Sequence, residues 1–232
     1  MKKTLIIIPT YNEKENIVKI IDAVLNLPAE LEILVVDDNS PDETGKLVAE
    51  ISEKNSKIHL LPREKKEGLG TAYLAGFKYA LKHNYDYIME MDADFSHDPK
   101  YIPNFLQAIK DYDLVLGSRY ISGGGVVNWG PLRKFISRGG SLYSRLILGI
   151  AIKDLTGGFK CFKKETLQAL DLDNIFSNGY AFQIEINYRV TKKKLKVKEI
   201  PIVFVDRRVG KSKMSKSIFL EALFKVWKIR FS

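Results

Sequence analysis

Polar and acidic side chains follow four apolar segments of the chain, each where the segment stops. The sharpest cluster is Asp92-Ala93-Asp94, which comes directly after the apolar run Tyr87 to Met91. Two carboxylates that are two residues apart at the end of a strand can approach one hard cation. Mg²⁺ and Mn²⁺ prefer such oxygen ligands and usually complete their coordination with water and phosphate oxygens. The motif therefore predicts a divalent-metal site that meets a phosphorylated substrate.

Three further clusters have the same position after apolar runs, at Pro9 to Glu13, Asp37-Asp38 and Ser118 to Tyr120. One such residue alone, Asp42 for example, is equally well explained as a turn former or a helix cap. Four clusters carry more weight, because the ligands of an open α/β sheet bind beyond the carboxyl ends of its strands. The set therefore predicts a polar site along one edge of a sheet.

The elements that must position these clusters alternate regularly up to residue 117. Continuous β-branched and apolar runs predict strands that are buried on both faces, and apolar residues at helical spacing predict the helices between them. Strands are expected at 4–8, 32–36, 58–61, 87–91 and 113–117, and helices at 16–27, 42–54, 70–83 and 99–112. This alternation predicts a Rossmann-like α/β domain with a mostly parallel sheet flanked by helices.

Beyond residue 117 the alternation stops. Glycines at 123–125 and 130 predict a loop, which a helix at 132–150 follows. The next elements are expected as a strand at 158–162, helices at 164–170 and 181–191, a strand at 197–205 and a last helix at 215–231. The apolar arc of the last helix is wide. This helix therefore either packs on the rest of the protein or lies at a membrane interface, with the 132–150 helix beside it.

Composition and charge exclude several classes of protein. Hydrophobic residues make up 45% and charged residues 28% of the 232 residues, which is ordinary for one globular domain and excludes a disordered tail, a collagen and a disulfide scaffold. The single cysteine, Cys161, favours a reducing compartment. Of the net charge of +9, residues 1–132 carry −5, residues 133–191 carry +4 and residues 192–232 carry +10. The protein is therefore polarised, with one basic end.

Searches for other motifs give negative results. The start of the chain lacks the apolar core of a signal peptide, and the longest apolar run, 146–152, is too short to span a bilayer. No Walker loop and no complete dinucleotide-binding glycine motif occur. His97 lies near the aspartate pair and is interpreted as a loop residue. No Ser-His-Asp or Cys-His constellation is indicated.

The ordered set of motifs resembles family 2 glycosyltransferases with the GT-A fold. The matching blocks are Pro9 to Glu13, Asp37 to Asp42, Gly68 to Ala72, Asp92 to His97 and Gly117 to Tyr120. Later blocks, at 136–139, 154–159, 179–183, 204–207 and 210–213, are similar to those of dolichol-phosphate (polyprenol-phosphate) mannose synthases. The resemblance covers about residues 4–220. It implies one continuous domain, with a nucleotide-sugar- and metal-binding part at 1–120 and an acceptor-binding part at 121–232.

The resemblance also implies roles for individual residues. The nucleotide-sugar positions are Pro9, Tyr11, Glu13, Val36, Asp38, Asp92, Ala93, Asp94, Arg119, Arg207 and Lys213. Among them, Asp38 is expected to meet the base, and Asp92 and Asp94 are expected to hold Mg²⁺ or Mn²⁺. The catalytic set is Asp92, Asp94 and Arg119. A second arginine beside Arg207, Arg208, leaves open which of the two faces the ligand.

The acceptor phosphate is expected at Arg119, Arg133 and Ser137. Arg133 and Ser137 are one helical turn apart, so both side chains can point at one anion. The other interpretation of Arg133 and Lys134 is a solvated basic face.

These roles imply a dolichyl-phosphate β-D-mannosyltransferase. It would move mannose from GDP-mannose to dolichyl or polyprenyl phosphate by in-line attack with inversion, giving a β-linked product and GDP. The lipid acceptor implies a peripheral protein on the cytoplasmic face of a membrane, which is reached through the amphipathic helices or through spanning partner subunits. No nucleic-acid partner is expected, because no recognition motif supports one.

Two alternatives remain open at this point. A polyprenol-phosphate glucosyltransferase that uses UDP-glucose shares the early motifs. A non-catalytic nucleotide-sugar-binding subunit is the second alternative, and the intact Asp92 and Asp94 pair argues against it. A processive polysaccharide synthase is disfavoured, because the chain lacks a Q-x-x-R-W motif and spanning helices.

Overall fold

The computed structural model describes residues 2–205 and 224–232. The strands in this part of the chain are β1 (Thr4–Thr10), β2 (Leu31–Asp37), β3 (Ile58–Pro62), β4 (Tyr87–Glu90), β5 (Leu114–Ser118), β6 (Gly125–Val127), β7 (Lys160–Lys163), β8 (Val197–Pro201) and β9 (Val203–Val205). The helices are α1 (Lys14–Leu25), α2 (Thr44–Ser52), α3 (Leu69–Lys82), α4 (Ile102–Ala108), α5 (Pro131–Leu148), α6 (Lys164–Ala169) and α7 (Gly179–Lys192).

Seven strands form one sheet in the order β3-β2-β1-β4-β7-β5-β8. The pairs β1–β2, β1–β4, β2–β3 and β5–β8 are parallel, and only β7 runs antiparallel to both of its neighbours in this sheet. The predicted α/β domain with a mostly parallel sheet is therefore confirmed.

The strand β1 is buried on both faces, as its unbroken apolar sequence predicts. Leu5 and Ile7 face one hydrophobic cluster, and Ile6 and Ile8 face the other. Helices α1 and α4 cover the second cluster, while α3, α6 and α7 cover the first. Gly76 allows α3 to approach the sheet closely, because a Cβ there would lie 2.6 Å from Cγ2 of Ile7.

Three predicted elements differ from the observed ones. The single strand expected at 197–205 is divided at Ile202 into β8 and β9, because its first part pairs with β5 in the main sheet and its second part pairs with β6. Strand β9 then pairs with β6 in a separate two-stranded parallel sheet, so the predicted glycine loop contains a strand. The helix expected at 99–112 begins with a 3₁₀ turn at Pro99–Tyr101 and ends at Ala108.

The predicted last helix lies partly outside the described residues, since 215–223 are among those not described. Residues 224–230 are helical and pack on the domain, with Val226 and Ile229 in the first hydrophobic cluster. The indole Nε1 of Trp227 donates to the Tyr143 hydroxyl of α5 at 2.9 Å. This contact places the two helices side by side, as expected. Over the described ranges, no helix has the length and apolar content needed to cross a membrane.

Candidate active site

The predicted clusters meet at one edge of the seven-stranded sheet. β1, β2, β4 and β5 run in the same direction, so their carboxyl ends lie on the same side. The register pairs Thr10 with Asp37 and Ile7 with Glu90, which makes the residues after β1, β2 and β4 neighbours in space. The convergence expected from the sequence is confirmed.

The two aspartates at the end of β2 have different surroundings. Asp37 accepts hydrogen bonds from Oγ1 of Thr10 at 2.8 Å and from N and Oγ of Ser40 at 2.9 and 2.6 Å, so it ties the end of β1 to the loop after β2. Asp38 pairs with Arg63, whose Nη1 donates to Oδ1 at 2.7 Å. Burial raises the pKa of Asp38, and Arg63 acts in the opposite direction. The carboxylate of Asp37 is therefore used in structural hydrogen bonds. In the Asp38–Arg63 pair, the arginine bonds to Oδ1 of Asp38 and not to Oδ2.

The other residues predicted for the nucleotide lie near the ends of β1 and β2. Pro9 and Val36 are paired in register, and Val36 is fully buried, so it lies behind the site rather than on its surface. Tyr11 is half-buried, and Nζ of Lys66 lies 3.7 Å from the centroid of its ring. Glu13 is half-buried and precedes α1. Pro9, Tyr11 and Glu13 therefore line the part of the edge that β1 supplies.

The loop after β4 carries the aspartate pair. The Asp92 N–H donates to Nδ1 of His97 at 3.0 Å, and the Tyr73 hydroxyl of α3 donates to Oδ1 of Asp92 at 3.3 Å. Asp94 accepts hydrogen bonds from N and Oγ of Ser96, the first at 3.0 Å. Ala93 between them is buried. These contacts orient both carboxylates.

His97 lies in this loop, as predicted, but it is buried beneath the aspartates. Its ring stacks on Phe159 with 5.0 Å between centroids and meets Phe204 edge-on at 5.8 Å. Burial lowers the pKa of His97, which favours the neutral ring with Nδ1 as the acceptor for the Asp92 N–H. His97 is therefore a support for the loop that carries Asp92 and Asp94, a role that the sequence did not indicate.

Asp92 and Asp94 are the residues that could hold a divalent cation. The side chain of Asp92 is 35% exposed, so the pair is reachable from solvent. Within residues 2–205 and 224–232, no group of three or more His, Cys, Asp or Glu side chains is arranged to hold a metal. Two carboxylates fit a hard cation that takes its remaining ligands from water and a substrate diphosphate.

Arg119, at the end of β5, is held by a buried carboxylate. Its N and Nε donate to Oδ2 of Asp154 at 2.9 and 2.7 Å, and its Nη2 donates to Oδ1 at 2.6 Å and to Oγ1 of Thr156 at 2.8 Å. Burial acts to lower the pKa of Arg119, but Asp154 raises it, so the guanidinium stays charged. Both residues are largely inaccessible, with 6% of the Arg119 side chain and none of the Asp154 side chain exposed. The guanidinium of Arg119 is thus held in place by a bidentate ion pair with Asp154.

Three aromatic rings lie close to Arg119, and one of them also contacts Arg133, the second arginine predicted for the acceptor. The guanidinium carbon of Arg119 lies 5.2 Å from the ring centroid of Tyr120 and 5.5 Å from those of Trp129 and Phe204. The guanidinium carbon of Arg133 lies 4.1 Å from the centroid of Trp129. Trp129 therefore lies between two cations and stabilises both through its ring face.

Ser137, the third residue predicted for the acceptor phosphate, contacts one of the same aromatic residues. Its Oγ lies 2.6 Å from the hydroxyl of Tyr120, the residue that follows Arg119. Arg119, Arg133 and Ser137 are therefore linked through shared aromatic neighbours. Arg207 and Lys213, which the resemblance also assigns to the ligands, lie outside the described residues.

A buried ion pair lies at the junction between β4 and β7. Glu90 and Lys160 are fully buried, with Nζ 3.8 Å from Oε2, and Nζ also donates to Oε1 of Gln183. Burial raises the pKa of Glu90 to about 7 and lowers that of Lys160 to about 8. Removing one partner of such a pair leaves an uncompensated charge that costs about 3–5 kcal/mol. The pair therefore fixes the antiparallel strand just behind the aspartate loop.

Sequence reasoning missed the residues that support the site from a distance. Arg63 contacts Asp38, Asp154 contacts Arg119, and Trp129 contacts Arg133 through its ring. Asp154 lies in a block that carried the resemblance, which is the one signal that could have drawn attention to it. Arg63 and Trp129 had no comparable signal.

Comparison with known proteins identifies relatives along the whole chain. The model of glycosyl transferase family 2 matches residues 5–171. The undecaprenyl-phosphate mannosyltransferase of Micrococcus luteus is 44% identical over 97% of this chain and 92% of its own length. The polyprenol monophosphomannose synthase of Mycolicibacterium smegmatis is also 44% identical, over 99% of this chain and 88% of its own length.

Solved structures show the same fold at low sequence identity. Glucosyl-3-phosphoglycerate synthase from Mycobacterium tuberculosis, in complex with Mn²⁺, UDP and phosphoglyceric acid, superposes with a TM-score of 0.72 at 16% identity, covering 99% of this chain and 78% of that one. Its complex with Mg²⁺ and UDP gives a TM-score of 0.71 over 99% and 80%. The family match and the close relatives together show that this chain belongs to glycosyl transferase family 2, with a single GT-A-type domain.

Proposed function

We propose that this chain is a metal-dependent mannosyltransferase that moves mannose from GDP-mannose to dolichyl phosphate or another polyprenyl phosphate. One observation supports this most. The carboxylates of Asp92 and Asp94 lie at the same edge of the sheet as Arg119, which shares the ring of Trp129 with Arg133. Two relatives at 44% identity are named for mannosyl transfer to undecaprenyl phosphate and for polyprenol monophosphomannose synthesis.

In this proposal the donor binds to the part of the domain at 1–120. Asp38 meets the base beside Tyr11, and Asp92 and Asp94 hold Mg²⁺ or Mn²⁺ against the diphosphate. When bound, the cation offsets the negative charge that develops on the leaving diphosphate. Arg207 and Lys213, which match family positions for the same ligand, are proposed to add positive charge to it.

The acceptor phosphate binds to the part at 121–232, with Arg119 at the boundary. Because Asp154 and Thr156 take Nε and Nη2 of Arg119, we expect Nη1 to meet a substrate oxygen. Arg133 and Ser137 contribute a second charge and a hydroxyl from α5. These groups let two anionic substrates come together without repelling each other.

The reaction needs little help with proton transfer. A phosphate monoester has a second pKa near 6, so at neutral pH the acceptor is already largely a dianion and needs no strong general base. An acceptor oxygen attacks C1 of mannose as the bond from C1 to the diphosphate oxygen breaks, and GDP leaves with the bonding electrons. In-line attack inverts C1 and gives a β-linked mannosyl phosphate lipid, and an α-linked product seen by NMR would contradict this step.

The described part of the chain also supports binding at a membrane surface. Helix α5 buries small or aliphatic residues, Ser141, Ser144 and Leu148, and exposes large apolar residues on its opposite face. The exposed large apolar residues of α5 and of the C-terminal segment 224–232 are Leu132, Phe135, Leu142, Leu146, Phe224, Trp227 and Phe231. An amphipathic helix turned outward in this way suits the interface of a bilayer, where the lipid acceptor resides. We place the protein at the cytoplasmic face, alone or with spanning partner subunits.

A transfer assay tests the proposal directly. Radiolabelled GDP-mannose and UDP-glucose are each incubated with the purified chain, dolichyl or undecaprenyl phosphate and Mn²⁺, with and without chelator. We expect chelator-sensitive transfer of mannose to lipid. Transfer of glucose alone would instead establish a glucosyltransferase, and nucleotide-sugar binding without transfer to either lipid would establish a binding subunit.

A further inference from the structure

The loop that precedes β7 lies between the two sides of the proposed site. β7 is placed between β4 and β5 and runs antiparallel to both, so its first residues lie at the edge where those two strands end. On one side of this loop, Thr156 accepts a hydrogen bond from Nη2 of Arg119 at 2.8 Å. On its other side lies His97, which accepts from the N–H of Asp92. The loop therefore forms the floor between the carboxylate pair and Arg119.

Gly158 leaves this floor without a side chain, although the fold does not require glycine there. The residue is half-buried, and its φ is not in the left-handed region. A Cβ at this position would lie 3.4 Å from Nε2 of Gln183 and 3.6 Å from Cε1 of His97, which are ordinary van der Waals distances. At the neighbouring Gly157, by contrast, a Cβ would lie only 3.2 Å from the carbonyl oxygen of Gly117. The backbone thus favours glycine at 157, whereas glycine at 158 keeps the floor open to a ligand.

Gln183 on α7 places its amide nitrogen beside Gly158. The residue is only 2% exposed, and the ammonium of Lys160 donates to Oε1. Because an ammonium can only donate, this contact fixes which end of the amide is the oxygen, and Nε2 takes the opposite direction. Gln183 acts to lower the pKa of Glu90, but no hydrogen bond joins the two side chains. Among the described residues, Nε2 has no hydrogen-bond partner. A buried donor without a partner is costly, which points to a ligand that accepts from it.

We propose that Gln183 is a specificity-determining residue whose Nε2 donates a hydrogen bond to the C2 hydroxyl of the transferred mannose. This inference rests on the proposed function, in which C1 of mannose lies between the diphosphate at Asp92 and the acceptor phosphate at Arg119. The sugar then lies over Gly158, and the hydroxyl nearest to C1 is the one on C2. Lys160 acts as a positioning residue, because it fixes the direction of Nε2. Mannose and glucose differ only in the configuration at C2, so a fixed donor at this point discriminates between the two sugars.

The test compares GDP-mannose with GDP-2-deoxymannose, which lacks this hydroxyl, as donors to undecaprenyl phosphate with Mn²⁺. The kcat/KM of each donor is measured for the wild type and for Gln183→Met, which has a side chain of similar length but no N–H. Removing the hydroxyl also changes the intrinsic reactivity of C1, so the quantity compared is the ratio of kcat/KM for the two donors in each protein. We expect the preference for GDP-mannose to fall about tenfold in Gln183→Met, the effect of losing a hydrogen bond from a buried donor.

Gly158→Ala tests the same contact without changing Gln183. The added methyl group would lie at contact distance from Nε2 and cover it, so the preference for GDP-mannose should fall about three- to tenfold. The contact between Lys160 and Gln183 remains, so this variant should unfold at the wild-type temperature in a thermal melt and stays informative if Gln183→Met fails to fold. Gln168→Met is the matched control, because Gln168 is exposed on α6 and should leave the preference unchanged.

A second modified donor separates a specific contact from a general loss of activity. GDP-6-deoxymannose lacks a hydroxyl far from C1, so its ratio to GDP-mannose should be the same in the wild type and in both variants. A lower rate with unchanged ratios for both modified donors would mean that Gln183 is only structural. A ratio that changes for the 6-deoxy donor and not for the 2-deoxy donor would assign Gln183 to another part of the sugar and overturn the inference.

The outcomes also distinguish this inference from the proposed function. If Gln183→Met and Gly158→Ala both keep the wild-type preference while the wild type transfers mannose, the role of Gln183 is wrong and the proposed function stands. If the wild type transfers glucose from UDP-glucose and no mannose from GDP-mannose, the proposed function is wrong and this inference fails with it.

Discussion

The two sides of the site are built by different means. On the donor side, after β1, β2 and β4, the groups are carboxylates, and two of them accept hydrogen bonds from close neighbours in sequence, Asp37 from Ser40 and Asp94 from Ser96. The carboxylates of Asp38 and Asp92 also accept from the more remote Arg63 and Tyr73. On the acceptor side the groups are arginines, and distant residues hold them: the Arg119 side chain bonds to Asp154, 35 positions away. Local turns therefore position much of the donor side, whereas the acceptor side depends on a buried ion pair between remote segments. A change at the partly exposed Asp92 should affect chemistry alone, and a change at the buried Arg119 should affect chemistry and folding together.

The largest expected effect is on the donor side. Asp92→Asn removes one of the two charges proposed to hold the metal, and we expect turnover to fall about a thousandfold, as when a main electrostatic group of an active site is lost. The free energy of unfolding should change by less than about 1 kcal/mol, because the side chain is partly exposed. Transfer assays and urea unfolding measure the two quantities.

The matched control for this prediction lies in the same loop. Asp98 caps the 3₁₀ turn that follows the loop, and asparagine is an equally good cap. Asp98→Asn should therefore keep both turnover and stability. If Asp92→Asn transfers mannose at a near-normal rate, the assignment of Asp92 and Asp94 as catalytic residues is wrong.

The next largest effect is expected on the acceptor side, where Arg119→Met should reduce two properties at once. It leaves the Asp154 carboxylate buried without its partner, which we expect to lower the free energy of unfolding by about 3 kcal/mol. Turnover should fall about a hundredfold as the phosphate loses its cation. The double variant Arg119→Met/Asp154→Leu also removes the unpaired buried carboxylate. We therefore expect its free energy of unfolding to return toward the wild-type value while mannose transfer stays low. Recovery of both would mean that Arg119 is only structural.

The same ion pair gives a prediction about pH. Burial acts to raise the pKa of Asp154, but Arg119 holds it below its ordinary value. A carboxyl whose pKa is lower in the folded than in the unfolded state stabilises the protein above the unfolded pKa, about 4, and this contribution is lost as the pH falls through the folded value. The difference in unfolding free energy between the wild type and Arg119→Met should thus be largest near pH 7 and shrink as the pH falls, because Asp154 becomes protonated first in the variant and then, below about pH 4, in the wild type. A difference that is constant from pH 7 to pH 2 would contradict an ionised Asp154.

The contrast between local and remote contacts also explains which features of the fold and the site can be predicted from the sequence. Asp38, Asp92 and Asp94 follow apolar strands directly, and the parallel sheet brings strand ends together, so their meeting follows from local pattern. The division of the predicted strand at Ile202 does not follow from local pattern, because it depends on pairing with two remote strands, β5 and β6. The supports from Arg63, Asp154 and Trp129 likewise depend on contacts between remote segments, which spacing in one sequence does not encode.

The smallest effect is expected at the surface of α5, which shares neither the local turns of the donor side nor the buried pair of the acceptor side. Phe135 and Leu146 are 77% and 75% exposed, so Phe135→Ser/Leu146→Ser should change the free energy of unfolding by less than about 0.5 kcal/mol per site. Partial burial of both side chains in lipid would be worth about 1–3 kcal/mol. We therefore expect binding to anionic phospholipid vesicles to weaken about tenfold in a sedimentation assay.

A short-chain, water-soluble acceptor phosphate separates membrane binding from chemistry. With this acceptor the double variant should transfer mannose at the wild-type rate, because neither side chain belongs to the proposed phosphate site. Leu69→Gln changes an exposed leucine at the start of α3 and should leave vesicle binding unchanged. If the double variant still binds vesicles as the wild type does, the exposed face of α5 is not the membrane surface, and the acceptor lipid must approach from another side of the domain.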